Sequence, residues 1–162
     1  MRLRTFLMIG LAMAFFLPLT AGAQQWTAVG STGAIDEGSL GLYATNDAGL
    51  FFAAGATGNV TAYYNVVNNS GSSTAPWTTL EMTSADGSAT ANVTAVLYRV
   101  PRCSGSAIAV CSVLSSESTT SPTCTSCTFS GGLDFANNAY FVKVILQKTS
   151  TTNPAVYQLR LF

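Results

Sequence analysis

The chain has 162 residues, seven basic and seven acidic side chains, four cysteines and no histidine; charged residues make up only 9% of it. An ordinary soluble domain is roughly one quarter charged, and a nucleic-acid binder would show a basic stripe, so electrostatic recognition of nucleic acid is excluded. The lack of imidazole removes Ser-His-Asp and Cys-His nucleophiles and histidine metal ligands alike.

Arg2 and Arg4 form a positive start, Phe6 to Leu17 is an unbroken apolar run, Pro18 breaks it, and Ala21-Gly22-Ala23 supplies a small-x-small cleavage pattern. This predicts a signal peptide over 1–23 and a mature chain from Gln24, rather than a membrane anchor, which needs about 20 apolar residues. Cleavage removes Arg2 and Arg4, leaving five basic and seven acidic residues and a net charge of about −2. The expected destination is secreted, periplasmic or cell-surface, with no membrane span in the mature chain.

From residue 24 on, Thr, Ser, Ala, Val, Gly and Asn dominate, and strong helix formers are scarce. Val60, Ala62, Tyr64 and Val66 alternate onto one face, as do Tyr140, Val142, Val144 and Leu146, with Lys143 and Gln147 opposite. At the C-terminus Tyr157, Leu159 and Leu161 share one side, and Gln158 and Arg160 the other. Strands are predicted at 26–29, 39–46, 49–54, 59–68, 77–83, 92–100, 107–114, 125–130, 139–148 and 155–161. Turn-forming Asn46-Asp47-Ala48-Gly49, Ala56-Thr57-Gly58-Asn59, Ala85-Asp86-Gly87-Ser88 and Cys103-Ser104-Gly105-Ser106 punctuate them. The expected fold is all-β: an antiparallel two-layer β-sandwich of Greek-key or jelly-roll type over 24–162, with an up-and-down barrel second.

Cys103, Cys111, Cys124 and Cys127 are an even number in an exported chain and predict two disulfides. A zinc site is disfavoured, because Cys124-Thr125-Ser126-Cys127 has no second C-x-x-C to pair with, and nothing marks a thioredoxin-like setting. If Ser104-Gly105-Ser106 turns a tight hairpin, Cys111 lies about 13 Å beyond Ala107, the residue opposite Cys103. Cys111–Cys124 and Cys103–Cys127 are then the expected bridges.

The carboxylates suggest little chemistry, and no metal site or cofactor is expected. Glu81 could serve a hydrolase, but its place between Leu80 and Met82 reads as a solvent-facing strand position. Asp47, Asp86 and Glu117 fall in turns, and Asp36-Glu37 lacks calcium-loop spacing. Gly30-Ser31-Thr32-Gly33 and Gly38-Ser39-Leu40-Gly41 read as turns, not nucleophile elbows. Asn59, Asn68 and Asn92 match the glycosylation acceptor, which matters only in a eukaryotic host.

Trp26, Tyr43, Tyr63, Trp77 and Tyr98 could stack on sugar rings or could fill the core. Lys143 and Lys148 are the only lysines left in the mature chain to guard strand edges, so the outer faces should be built largely from Ser, Thr, Asn and Gly. In size and composition the chain resembles bacterial pilin and adhesin domains. It departs from chaperone-assembled pilins in having Leu161 penultimate and no glycine after Gly132, and no family is assigned. The leading expectation is a non-enzymatic protein with a structural, adhesive or assembly role in the cell surface or extracellular matrix, self-association being one partner mode. The alternative is a carbohydrate-binding module that recognises neutral polysaccharide through Trp26 and Trp77.

Overall fold

A computed structural model of the protein describes residues 24–69, 71–115, 120–149 and 152–162. The expected signal peptide over 1–23, Glu117 and the Ser70 hydroxyl of one glycosylation acceptor lie outside the described residues. In chain order the strands are β1 (Trp26–Val29), β2 (Ala34–Ile35), β3 (Tyr43–Thr45), β4 (Leu50–Phe52), β5 (Gly58–Val66), β6 (Thr74–Ala75), β7 (Thr79–Ala85), β8 (Ala91–Pro101), β9 (Ile108–Leu114), β10 (Thr123–Thr128), β11 (Leu133–Asp134), β12 (Asn138–Lys148) and β13 (Ala155–Leu161).

One sheet runs β10-β7-β13-β4-β3, with β1 also paired to β13; a second runs β2-β5-β12-β8-β9; β6 and β11 form a separate short pair, and every pairing is antiparallel. The main strands wind between the layers so that β4-β13-β7-β10 faces β5-β12-β8-β9. That interleaving is a jelly roll.

Alternation explains which side of each strand is dry. Val60, Ala62, Tyr64 and Val66 of β5, Val93, Ala95 and Leu97 of β8, and Val142, Val144 and Leu146 of β12 all point inward and are buried. Leu80 and Met82 of β7 and Val156, Leu159 and Leu161 of β13 meet them from the other sheet. A register shift between Val156 and Gln158 puts Val156 inside where the alternation predicted Tyr157, which instead lies edge-on to Phe51 with ring centroids 5.8 Å apart.

Residues 39–46 do not form one strand. Glu37–Ser39 makes a 3-10 turn in which Asp36 accepts a hydrogen bond from the Gly38 N–H, and only Tyr43–Thr45 pairs. The next turn was legible: the Asn46 side chain accepts from the Ala48 and Gly49 N–H groups and closes the β3–β4 hairpin. Gly30 is required at the crossing from β1 to β2, because a Cβ there would stand 2.1 Å from the Val156 carbonyl oxygen. The carbonyl of Gly30 accepts a 2.5 Å hydrogen bond from the Tyr64 hydroxyl, and burial pushes that phenol far above its usual titration range.

Two buried ionisable groups sit at one end of the sandwich. Lys148 donates to Asn153 Oδ1 at 2.5 Å and lies 5.6 Å from the Phe52 ring centroid. Asp86, only 1% exposed, accepts from the Ser115 hydroxyl at 2.5 Å, and the same hydroxyl accepts from the Val93 N–H. Ser115 thereby ties the β7–β8 turn to the end of β9. Asp86 Oδ1 has no partner among the described residues, so Ser115→Ala would strip the carboxylate of its hydroxyl donor and is expected to cost about 1–3 kcal/mol. Urea unfolding followed by circular dichroism measures this, and an unchanged midpoint would refute the role given to Ser115.

Candidate functional site

The two outer faces have different chemistry. On the six-stranded sheet, Thr79, Glu81 and Thr83 of β7, Ser126 and Thr128 of β10, and Gln158 and Arg160 of β13 face outward. Glu81 accepts from Arg160 Nη1 at 3.1 Å, while Arg160 Nη2 donates to Gln25 at 2.7 Å. The partly exposed Phe51 and Tyr157 rings lie outside the core on the same sheet, so this face joins the hydroxyls that the composition predicted to one ion pair and one aromatic contact.

The outer face of the five-stranded sheet corrects that expectation. Its central rows are Tyr63–Lys143–Val96 and Asn65–Phe141–Tyr98, read across β5, β12 and β8, with Thr61–Ile145–Thr94 above them. The Tyr98 and Phe141 rings lie 5.1 Å apart at 15°, in a stacked pair, and Tyr63 stands 6.0 Å from Phe141. All three rings are partly exposed. Lys143 Nζ sits 5.9 Å from the Tyr63 centroid. Amides and hydroxyls border the rings: Asn65 stands in the Phe141–Tyr98 row and Ser112 beside Val96, both exposed, while the Asn92–Gln147 pair lies further along the same face. Leu114, 53% exposed and paired with Thr94, extends the apolar surface onto the edge strand β9.

Along β8 and β12 this face continues past Val100 and Ala139 into an open depression of about 360 Å³ that Arg102 and Phe135 also line. Asp134 borders it. Its carboxyl is held below the usual carboxylate range, first by the Asn137 side-chain amide and then by the Asn137 and Ala136 N–H groups.

The aromatic pair singled out as a sugar platform is elsewhere. Trp26 is 4% exposed and Trp77 1%, and both belong to the core between the sheets. Trp77 donates its indole N–H to the Gln24 carbonyl at 3.0 Å and meets Phe135 edge-on. Large apolar rings fill the gap between two layers better than any other side chain here, which leaves them no free face. Of the other aromatics considered, Tyr63 and Tyr98 do join the outer cluster. Phe141 was passed over, although its position beside Lys143 on the non-core side of β12 marked it.

The cysteines also depart from expectation. Cys111 bonds to Cys127 with Cα atoms 6.1 Å apart, and Cys103 and Cys124 are free and exposed, so neither Cys111–Cys124 nor Cys103–Cys127 forms. Two facts account for it. Cys124 and Cys127 are three apart on β10 and therefore point to opposite sides of the sheet, Cys127 toward β9. The β8–β9 connection is wider than a tight hairpin: the last pair is Arg99 with Ile108, a bulge follows Leu97, and Cys103 sits out in the turn at φ 65°. The bond joins the edge strand of one sheet to that of the other.

Fold and face together define a jelly-roll sandwich whose five-stranded sheet carries an outward aromatic cluster among hydroxyl, amide and aliphatic side chains. No family model matches the sequence, and no curated protein does. Among solved structures the chain is similar to a family two carbohydrate esterase from Cellvibrio japonicus, at 13% identity and a TM-score of 0.48, over 85% of this chain and 33% of the esterase. It is also similar to a family 11 carbohydrate-binding module from Clostridium thermocellum in complex with a beta-1,3-1,4-mixed-linked tetrasaccharide, at 11% identity and a TM-score of 0.46, over 85% of this chain and 88% of that one. At such identities neither assigns a family or a ligand.

Proposed function

We propose that the protein is a non-catalytic, exported adhesion domain that docks on polysaccharide through the outer face of β5, β12 and β8. The observation that carries this reading is the cluster of Tyr63, Phe141 and Tyr98 on a solvent-facing sheet surface, bordered by amide and hydroxyl side chains. Pyranose rings offer apolar C–H faces and a perimeter of hydroxyls. A flat aromatic centre with hydrogen-bonding groups around it complements both. Aromatic surface left in water is also a recognised mark of an interaction site. Support for the non-catalytic part is that Glu81 spends its carboxylate on Arg160 and that Asp86 is buried. The disulfide supports an oxidising compartment.

Tyr98→Ala tests the reading. Removing one stacking partner should lower affinity for a soluble polysaccharide about tenfold, equivalent to about 1.4 kcal/mol, as measured by affinity electrophoresis and calorimetry. As an outward cross-strand position it should change stability by only about 0.2–1 kcal/mol. Undiminished binding by Tyr98→Ala, or no binding by the unaltered protein to any of a broad glycan panel, would refute it.

A further inference from the structure

Resting on the polysaccharide reading above, we infer that the favoured ligand is an anionic polysaccharide, its chain laid along β8 and β12 with acidic groups on Lys143 and Arg102. Lys143 occupies the middle of the face, between Tyr63 and Val96 in the cross-strand rows. The residues around it on that face, Thr61, Asn65, Thr94, Tyr98, Phe141 and Ile145, carry no charge. Among the described residues Lys143 makes no ion pair, whereas Arg160 on the opposite face is paired with Glu81. A cation held over an aromatic ring within an apolar surface is partly desolvated already, which strengthens its attraction for an incoming anion.

Arg102 extends the same track. It lines the depression into which the face runs past Val100 and Ala139, and it lies six residues beyond Val96, roughly 20 Å at strand rise. The stacked pair of Phe141 and Tyr98 falls between the two cations. The nearest acids do not occupy the track. Asp36 and Glu37 belong to the 3-10 turn beyond the β5 edge, where the Asp36 N–H bonds the Thr61 carbonyl. Asp134 remains an ionised carboxylate at the border of the depression, its oxygens turned onto the Ala136 and Asn137 N–H groups and the Asn137 amide, so Lys143, with no acid around it on its face, carries the larger share of the anion preference. Ring stacking alone does not distinguish neutral from charged sugars; these two cations would.

Calorimetry with alginate for carboxylates, dextran sulfate for sulfates and unmodified dextran as the neutral chain tests this. The unaltered protein should bind at least one anionic polymer about tenfold more tightly than dextran, with affinity falling as sodium chloride rises. Lys143→Gln should bring that ratio toward one, and Lys143→Arg should keep it; comparing the alginate and dextran sulfate arms identifies the acidic group. Equal affinity for neutral and anionic chains, unmoved by Lys143→Gln, would overturn the charge preference while the stacking reading stands. Loss with Lys143→Gln but none with Tyr98→Ala would instead overturn the stacking reading.

Discussion

Trp77→Ala is expected to destabilise the protein by about 3–5 kcal/mol, the range for deleting a fully buried large aromatic. Trp77 is 1% exposed, and its loss would empty the space beside Phe135 and release the Gln24 carbonyl from its only indole donor. With a net stability of roughly 5–15 kcal/mol for a domain of ordinary size, such a loss leaves the variant marginal or unfolded at room temperature. Guanidinium unfolding monitored by circular dichroism gives the number. A variant that kept its stability but lost polysaccharide binding would return Trp77 to the role of sugar platform and displace the outer aromatic cluster. Because Trp26 and Trp77 are both enclosed, tryptophan emission is a poor reporter of anything bound on the β5–β12–β8 face.

Removing the Cys111–Cys127 bond, by reduction or by the double change Cys111→Ser with Cys127→Ser, is expected to cost about 3 kcal/mol through the entropy returned to a 16-residue loop of the unfolded chain. At this chain length that is a fall in Tm of roughly 10 °C. The effect should be seen without change in the native circular dichroism spectrum, since backbone pairing holds each sheet together on its own. Mapping of unreduced peptides after alkylation should recover Cys111 linked to Cys127, with Cys103 and Cys124 carrying the alkyl label. Recovery of Cys111 with Cys124, or Cys103 with Cys127, would contradict the arrangement.

How far the sequence could be read follows from the reach of each signal. Alternation over seven residues located β5 and β12 to within a residue or two and identified their inward faces, because a one-residue slip would turn every apolar side chain to water. It could not find β2, β6 or β11, which have two residues each and no pattern to show. Nor could it foresee the bulge in β13 that exchanged Tyr157 for Val156. The disulfide was more accessible than we expected. Two cysteines three apart on a strand must face opposite ways, so Cys124 and Cys127 could never have been equivalent partners for Cys111. The site was half visible: Tyr63 and Tyr98 stood among the candidate stacking residues, but tryptophans drew the larger weight, and composition averages over the surface hid the contrast between its two sides.

That contrast gives the molecule a direction. Seated on a polymer by its ring-bearing side, as proposed, each copy would turn toward the bulk the threonines and serine of β7 and β10 and the Glu81–Arg160 pair, with Phe51 and Tyr157 on the same sheet. On the proposed reading the two sides are used unequally: the five-stranded sheet is given to the polymer and the six-stranded sheet stays in solvent.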